Sequence, residues 1–266
     1  MTTPKVRAMP VPAPQGGATE LGAAQRSLET PLLRTQALVS GYGQQTVLDK
    51  VSLDVMPGEI VAVVGANGAG KTTLLLTIAG HLRAFSGQVH FDGKDITAMP
   101  AHEAAPSGLV MVPEGGRLFP FMTVLENLEL GAYHRAARAR MAQTLDEVMT
   151  LFPILAERRG QLAGRLSGGE RQMCAVARAM MSLPKLLMLD EPSLGLAPIM
   201  VDKLFDKVNS LVQSKGLSVL LVEQNVGNAL RLARRGCILD HGCIAKMSSG
   251  AELLRDPDVQ KSYMGL

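Results

Sequence analysis

Apolar residues fall along this chain in three rhythms, and each predicts a different kind of element. Nearly unbroken runs at residues 60–64, 109–112, 186–189 and 218–222 leave no face for solvent. They predict strands buried on both sides, as in a parallel sheet. Residues 33–40, 47–55 and 88–91 mix polar and apolar positions, and the last turns at Asp92-Gly93, which predicts an antiparallel edge. From Thr123 to about Leu162 the spacing becomes helical, with Val124, Leu125 and Leu128 followed by Leu145, Val148, Met149 and Phe152. Further helices are expected over residues 71–81, about 169–181 and 226–234, then a hairpin over 236–247 and a last helix near 251–254. Strands interleaved with helices in this order predict an α/β fold.

Composition bounds the reading. At 266 residues and 47% hydrophobic content the chain can bury a sizeable core. No stretch approaches the roughly 18 apolar residues of a membrane span, so any membrane path must come from other chains. Residues 1–31, rich in Ala, Pro, Gly, Gln and Thr without a periodic apolar face, are expected to be a disordered extension and lack the apolar core of a signal peptide. Cys174, Cys237 and Cys243 form no Cys-x-x-Cys pair, which suits a reducing cytosol, and the five histidines have no zinc-ligand spacing. A net charge of +3 gives no argument for nucleic acid as a partner. The clusters Arg135/Arg138/Arg140 and Arg158/Arg159 read as a solvated helix face or, near a bilayer, as contacts for anionic lipid.

The chemistry sits in three short stretches. Gly65-Ala66-Asn67-Gly68-Ala69-Gly70-Lys71-Thr72 fits G-x-x-x-x-G-K-[ST] between a predicted strand and a predicted helix. Gly65, Gly68 and Gly70 permit backbone conformations that let successive N–H groups surround phosphate oxygens, and the helix dipole adds positive character. Lys71 would reach the β- and γ-phosphates, the Thr72 hydroxyl would help hold Mg²⁺, and Thr73 would lie toward the α-phosphate. Asn67 and Ala69 complete the ATP-binding loop. The Asp190-Glu191 pair ends a second strand, at the sheet edge where ligands bind. There Asp190 would hold Mg²⁺, and Glu191 would polarise the water attacking the γ-phosphorus. In Leu166-Ser167-Gly168-Gly169-Glu170, Ser167 is suited to cap a helix, so its hydroxyl, the Gly168 and Gly169 amides and the dipole make a second anion site. One domain has no room to aim both helix ends at a single γ-phosphate. Two domains set head to tail solve this, each lending its serine-glycine end to the other's ATP.

With these motifs in this order, and the wording Leu-Ser-Gly-Gly-Glu-Arg-Gln, the chain from about Leu33 onward resembles the ATP-binding subunits of ABC transporters. The stretches Val112-Pro113-Glu114-Gly115, Asp190-Glu191-Pro192-Ser193-Leu194-Gly195-Leu196-Ala197-Pro198 and Leu221-Val222-Glu223-Gln224-Asn225 resemble one of the two ATPases of the bacterial branched-chain amino-acid importer. Importers of urea and short amides are similar. The resemblance implies a P-loop NTPase fold over residues 32–266, with a RecA-like core sheet, an antiparallel β edge and an inserted helical subdomain at about 115–182. It implies ATP and Mg²⁺ as cofactors. As partners it implies a second ATPase subunit, two permeases and, indirectly, an extracytoplasmic binding protein, with the chain peripheral on the cytoplasmic face of the inner membrane.

Roles follow for further residues. Tyr42 matches the aromatic that stacks on adenine, or is a packed turn tyrosine. Glu114 stands where most of the family carry a metal-sensing glutamine and joins Thr72 and Asp190 as a metal-site residue. Gln224 replaces a γ-phosphate-contacting histidine and can donate one hydrogen bond without carrying charge. Ala197 lacks the aspartate common on the loop that crosses to the partner. Glu191, Gln224 and Lys71 form the expected catalytic set, and the seam at residues 114–121, hinged at Gly115-Gly116, would grip a short permease helix. Two rivals are a soluble ABC-type mechanoenzyme, which usually has paired domains or a coiled-coil insertion, and a regulatory nucleotide binder that barely hydrolyses.

Overall fold

The computed structural model describes residues 30–264, so the expected disordered extension lies almost wholly outside the described residues. The chain opens with β1 (Leu33–Tyr42) and β2 (Gln45–Val55), paired antiparallel. It continues through β3 (Ile60–Val64), α1 (Lys71–Ile78), β4 (Ala84–Phe91), β5 (Lys94–Asp95), α2 (Ala101–Ser107) and β6 (Leu109–Val112). Four helices follow with no strand between them: α3 (Val124–Gly131), α4 (Arg135–Ala139), α5 (Met141–Leu151) and α6 (Pro153–Glu157). Then come α7 (Gly168–Met180), β7 (Leu186–Asp190), α8 (Pro198–Lys215), β8 (Ser218–Glu223), α9 (Val226–Leu232), β9 (Arg235–Asp240), β10 (Cys243–Ser249), α10 (Gly250–Arg255) and α11 (Pro257–Val259).

Two sheets result. β2-β1-β4-β5 is antiparallel, and β10-β9-β3-β8-β7-β6 is parallel except for its β10 edge. The apolar runs form the centre of the second sheet, where side chains at alternate positions serve two different cores. Val61, Val63, Leu186, Met188, Leu220 and Val222 pack with α1 and the antiparallel sheet. Ala62, Val64, Leu187, Leu189, Val219 and Leu221 pack with α7, α8 and the helices before them. This alternation aims the polar residues at the strand ends. Asp190 shares the parity of Leu186 and Met188 and meets α1, whereas Glu223 shares the parity of Val219 and Leu221 and points to the other side.

Differences from the expected pattern have local causes. β4 begins at Ala84 rather than Gln88. Gly87 lies at φ 86°, its absent Cβ 2.4 Å from the Ala37 carbonyl oxygen, and this bulge against β1 hides the alternation. α1 stops at Ile78, three residues early, as the chain turns through Gly80 at φ 75°. The pattern reading leaves α8 unassigned, although Val201, Leu204, Phe205, Val208, Leu211 and Val212 bury one stripe of it. Arg158 is not simply solvated: it forms an ion pair with Glu170 at 3.0 Å, tying the helical run to α7. All three cysteines are free, and Cys174 and Cys237 are buried.

A half-buried cation helps tie the two sheets. Arg235, at the start of β9, bonds Glu59 through Nε at 2.7 Å and through a second nitrogen at 2.8 Å, and also reaches the Asp54 carbonyl at 2.8 Å. Burial pushes the Glu59 carboxyl up, but the bonds from Arg235 and the Met56 amide outweigh it and hold the group below its ordinary value. Its contribution to stability is therefore present above about pH 4.5 and lost as pH falls through the lowered value. Arg235→Met strands a buried carboxylate and should cost on the order of 3 kcal/mol. Urea denaturation should show that loss at pH 7, and it should shrink below pH 4.

Candidate functional site

The loop between β3 and α1 is shaped by close approach as much as by conformation. A Cβ on Gly65 would lie 2.1 Å from the Leu239 carbonyl oxygen, so glycine is required there for space. Gly68 at φ 82° and Gly70 at φ 103° occupy the left-handed region. Gly70 caps α1 with no side-chain bond, leaving the first amides of the helix free for an outside acceptor.

Lys71 is 4% exposed. Its ammonium donates to the Gly65 carbonyl at 2.9 Å and the Ala66 carbonyl at 3.1 Å, and it pairs with Glu191 at 3.2 Å. The next residue, Thr72, donates its hydroxyl to Asp190 at 3.1 Å. Glu191 lies at φ 45°, unusual for a residue with a side chain and costing of order 1 kcal/mol or more. Strand alternation would send its carboxylate away from Asp190; the kink turns it back to Lys71. The Glu191 amide donates to the Val222 carbonyl at 2.9 Å, which pins the kink to β8.

These groups border a cavity of about 470 Å³, together with Tyr42, Asn67, Gly68, Gly70, Thr73, Glu114 and Gln224. Tyr42 is half exposed at the rim, so it is not a packed turn residue. Gly65 lies behind the loop, Ala69 is buried beneath it, and Asp190 meets Glu114 and Thr72 in an adjoining pocket. Val47 and Leu194 also line the cavity. Neither was expected, since a lone apolar residue in a strand or turn carries no signal in the pattern.

Ser167, Gly168 and Gly169 are elsewhere. They begin α7, where Ser167 and Glu170 form a reciprocal cap: the Ser167 amide donates to Glu170 at 2.9 Å and the Glu170 amide to the Ser167 hydroxyl at 3.4 Å. This end packs beside Leu196 and Met200 rather than on the Lys71 cavity. The α7 start and the Lys71 cavity therefore do not meet among the described residues.

Charge in the cavity is mostly acidic. Burial pushes the Asp190 carboxyl up to about 6, and Glu191 and Glu114 add to this against the Thr72 bond and Lys71. Burial likewise raises Glu223, against bonds from Ser193 and Asn225. Hydroxyl and carboxylate oxygens of this kind suit a hard dication, while loop amides and an ammonium suit a polyphosphate. Among the described residues no cluster of three His, Cys, Asp or Glu forms a metal cage.

Residues 48–194 match the family described as ABC transporter. Over 224 residues the chain is 46% identical to the high-affinity branched-chain amino acid transport ATP-binding protein BraG of Pseudomonas aeruginosa, spanning 84% of this chain and 95% of that protein. The chain belongs to the ABC transporter family. It is also 38% identical to a probable branched-chain amino acid transport ATP-binding protein, LivF, of Archaeoglobus fulgidus, over 88% of this chain and 99% of that one. A solved ATP-binding cassette of an ABC transporter in its ADP conformation superposes with a TM-score of 0.78 at 29% identity, covering 89% of this chain and 100% of that one. As an ABC ATPase the chain binds and hydrolyses ATP, and ABC ATPase subunits work with permease subunits. Among its described residues no helix is long and apolar enough to cross a membrane.

The raised Asp190 value can be checked in this ABC ATPase without nucleotide. Carboxyl NMR should find it titrating near 6, and Glu114→Gln with Glu191→Gln should move it toward 3.8, the ordinary value. Because the folded value is raised, ionisation of Asp190 costs stability above pH 6. Asp190→Asn should therefore stabilise the protein at pH 7 to 8, by an amount that shrinks as pH falls toward 3.8.

Proposed function

We propose that this ABC ATPase powers the import of branched-chain amino acids, working on the cytoplasmic face of the membrane with a second ATPase subunit, two permeases and an extracytoplasmic binding protein. The observation that carries the chemistry is the Lys71 ammonium held against Glu191 on the wall of a cavity lined by phosphate-loop residues. The cargo rests on likeness to BraG and LivF over nearly their whole length.

Lys71 and the loop amides hold the β- and γ-phosphates, and Tyr42 at the rim stacks on adenine. Thr72, Asp190 and Glu114 would hold Mg²⁺, which supplies charge neutralisation at the phosphates. Glu191, released from Lys71 when phosphate oxygens take its place, accepts a proton from the attacking water. Gln224 donates a hydrogen bond to the terminal phosphate. Ser167, Gly168 and Gly169 close over the ATP of the second subunit, which is why one chain leaves that α7 end unused. The helical run from Val124 to Met180 belongs to the inserted subdomain, about residues 115–182, that carries it.

A groove of about 410 Å³ between this run and the core sheet, lined by Met111, Phe119, Leu130 and Tyr133 among others, is assigned to a short helix of a permease. Phe119, Leu130 and Tyr133 are exposed apolar residues in want of a partner. Arg178 ties its floor by donating to the Gly116 carbonyl at 2.7 Å, beside the left-handed Gly115-Gly116 pair.

With the second ATPase subunit and permeases present, Glu191→Gln should retain ATP binding, accumulate closed dimers in sedimentation and lose about 100-fold to 10,000-fold in turnover. Near-normal phosphate release by that variant would rule out Glu191 as the base. Lys71→Ala should weaken nucleotide binding about tenfold or more, measured by titration calorimetry.

A further inference from the structure

We infer that Glu223 is a positioning residue: its buried carboxylate couples Gln224, on the phosphate side, to the loop at residues 193–197 that leaves the Glu191 site for the second subunit. The inference rests on the ATPase reading above and adds a residue that the reading does not use.

Glu223 is the last residue of β8 and 2% exposed. Its parity sends the side chain away from α1, and one carboxylate oxygen accepts the Ser193 N–H at 2.9 Å. Keeping a carboxylate in such a place is costly unless donors converge on it. Ser193 and the Asn225 amide are those donors. The segment after β7 is thereby stitched to β8 at two successive points, Glu191 N–H to the Val222 carbonyl and Ser193 N–H to Glu223.

Beyond Ser193 the hydrogen bonds among the described residues reach no strand: Leu194 donates back to the Glu191 carbonyl at 3.1 Å, Leu196 to the Ser193 carbonyl, and Met200 and Val201 to the Ala197 carbonyl. Leu194 is 53% exposed, Gly195 turns at φ 71°, and Ala197 caps α8 without a side-chain bond. The methyl of Ala197 has nothing to signal with. Glu223 is thus the last hydrogen-bonded hold of the core sheet on this loop. Gln224, the next residue in the chain, borders the Lys71 cavity. A shift of Gln224 toward a terminal phosphate moves Glu223, and with it the Ser193 amide, through a single charge-assisted bond.

The test uses the assembled transporter, with steady-state ATP hydrolysis and amide exchange read by mass spectrometry. Glu223→Ala should lower kcat about tenfold with KM for ATP within about twofold, and should speed exchange of amides 193–196 about tenfold, the loss of one hydrogen bond. Exchange over residues 71–78 should not change. Glu223→Gln, whose carbonyl still accepts from Ser193, should keep kcat within about threefold and normal loop protection. If the alanine variant does not fold, Glu223→Met fills the volume without an acceptor and carries the same expectations. Wild-type kcat in the alanine or methionine variant, unchanged loop exchange, or a glutamine variant as impaired as alanine would overturn the inference. A wild-type complex that does not hydrolyse ATP would instead overturn the reading on which it rests.

Discussion

An ammonium group taken out of water must find negative charge or oppositely directed dipoles, and in this protein Lys71 finds both. Two carbonyls of its own loop and the Glu191 carboxylate surround it. To bring those carbonyls inward the loop needs glycine at Gly68 and Gly70, and at Gly65 it needs the space that Leu239 would otherwise deny. To bring the carboxylate to the same point, β7 must end beside β3 across one intervening strand, and the chain must kink at Glu191. Sheet order, loop composition and backbone strain therefore answer to one buried charge.

The arrangement is neutral enough to fold and still wants a ligand. Lys71 is satisfied by groups that an anion can replace, while burial, with the neighbouring Glu191 and Glu114 adding to it, lifts the Asp190 carboxyl. A polyphosphate with a divalent cation would relieve both at once, taking the lysine's bonds and neutralising the acids. The α7 end stands apart: Ser167 and Glu170 cap each other, and Gly168 and Gly169 lie beside Leu196 and Met200 rather than on the Lys71 cavity. On the function proposed above, a second subunit would supply what this end lacks.

Much of this was legible in the sequence because the informative residues are local. Lys71, Thr72, Asp190 and Glu191 belong to motifs whose spacing is set by a strand, a turn and a helix, and the unbroken apolar runs placed β3, β6, β7 and β8 to within a residue. The Ser167 cap was legible for the same reason. What was not legible depends on contacts between distant segments. The irregular pairing of β4 with β1 around Gly87, which passes close to the Ala37 carbonyl, concealed half a strand. The tie from Glu223 to Ser193 joins residues 30 apart in the chain, with nothing in either neighbourhood to announce it. The turn of Glu191 toward Lys71 needs a positive φ that composition does not predict for glutamate.

The account stands on the claim that the loop and Lys71 read terminal phosphates rather than the base or sugar, and calorimetric titration of the wild-type protein with ATP, ADP and AMP in Mg²⁺ tests it most directly. ATP and ADP should bind at least about 100-fold more tightly than AMP, the worth of two or more charge-assisted bonds to the outer phosphates. AMP binding as tightly as ATP would contradict it.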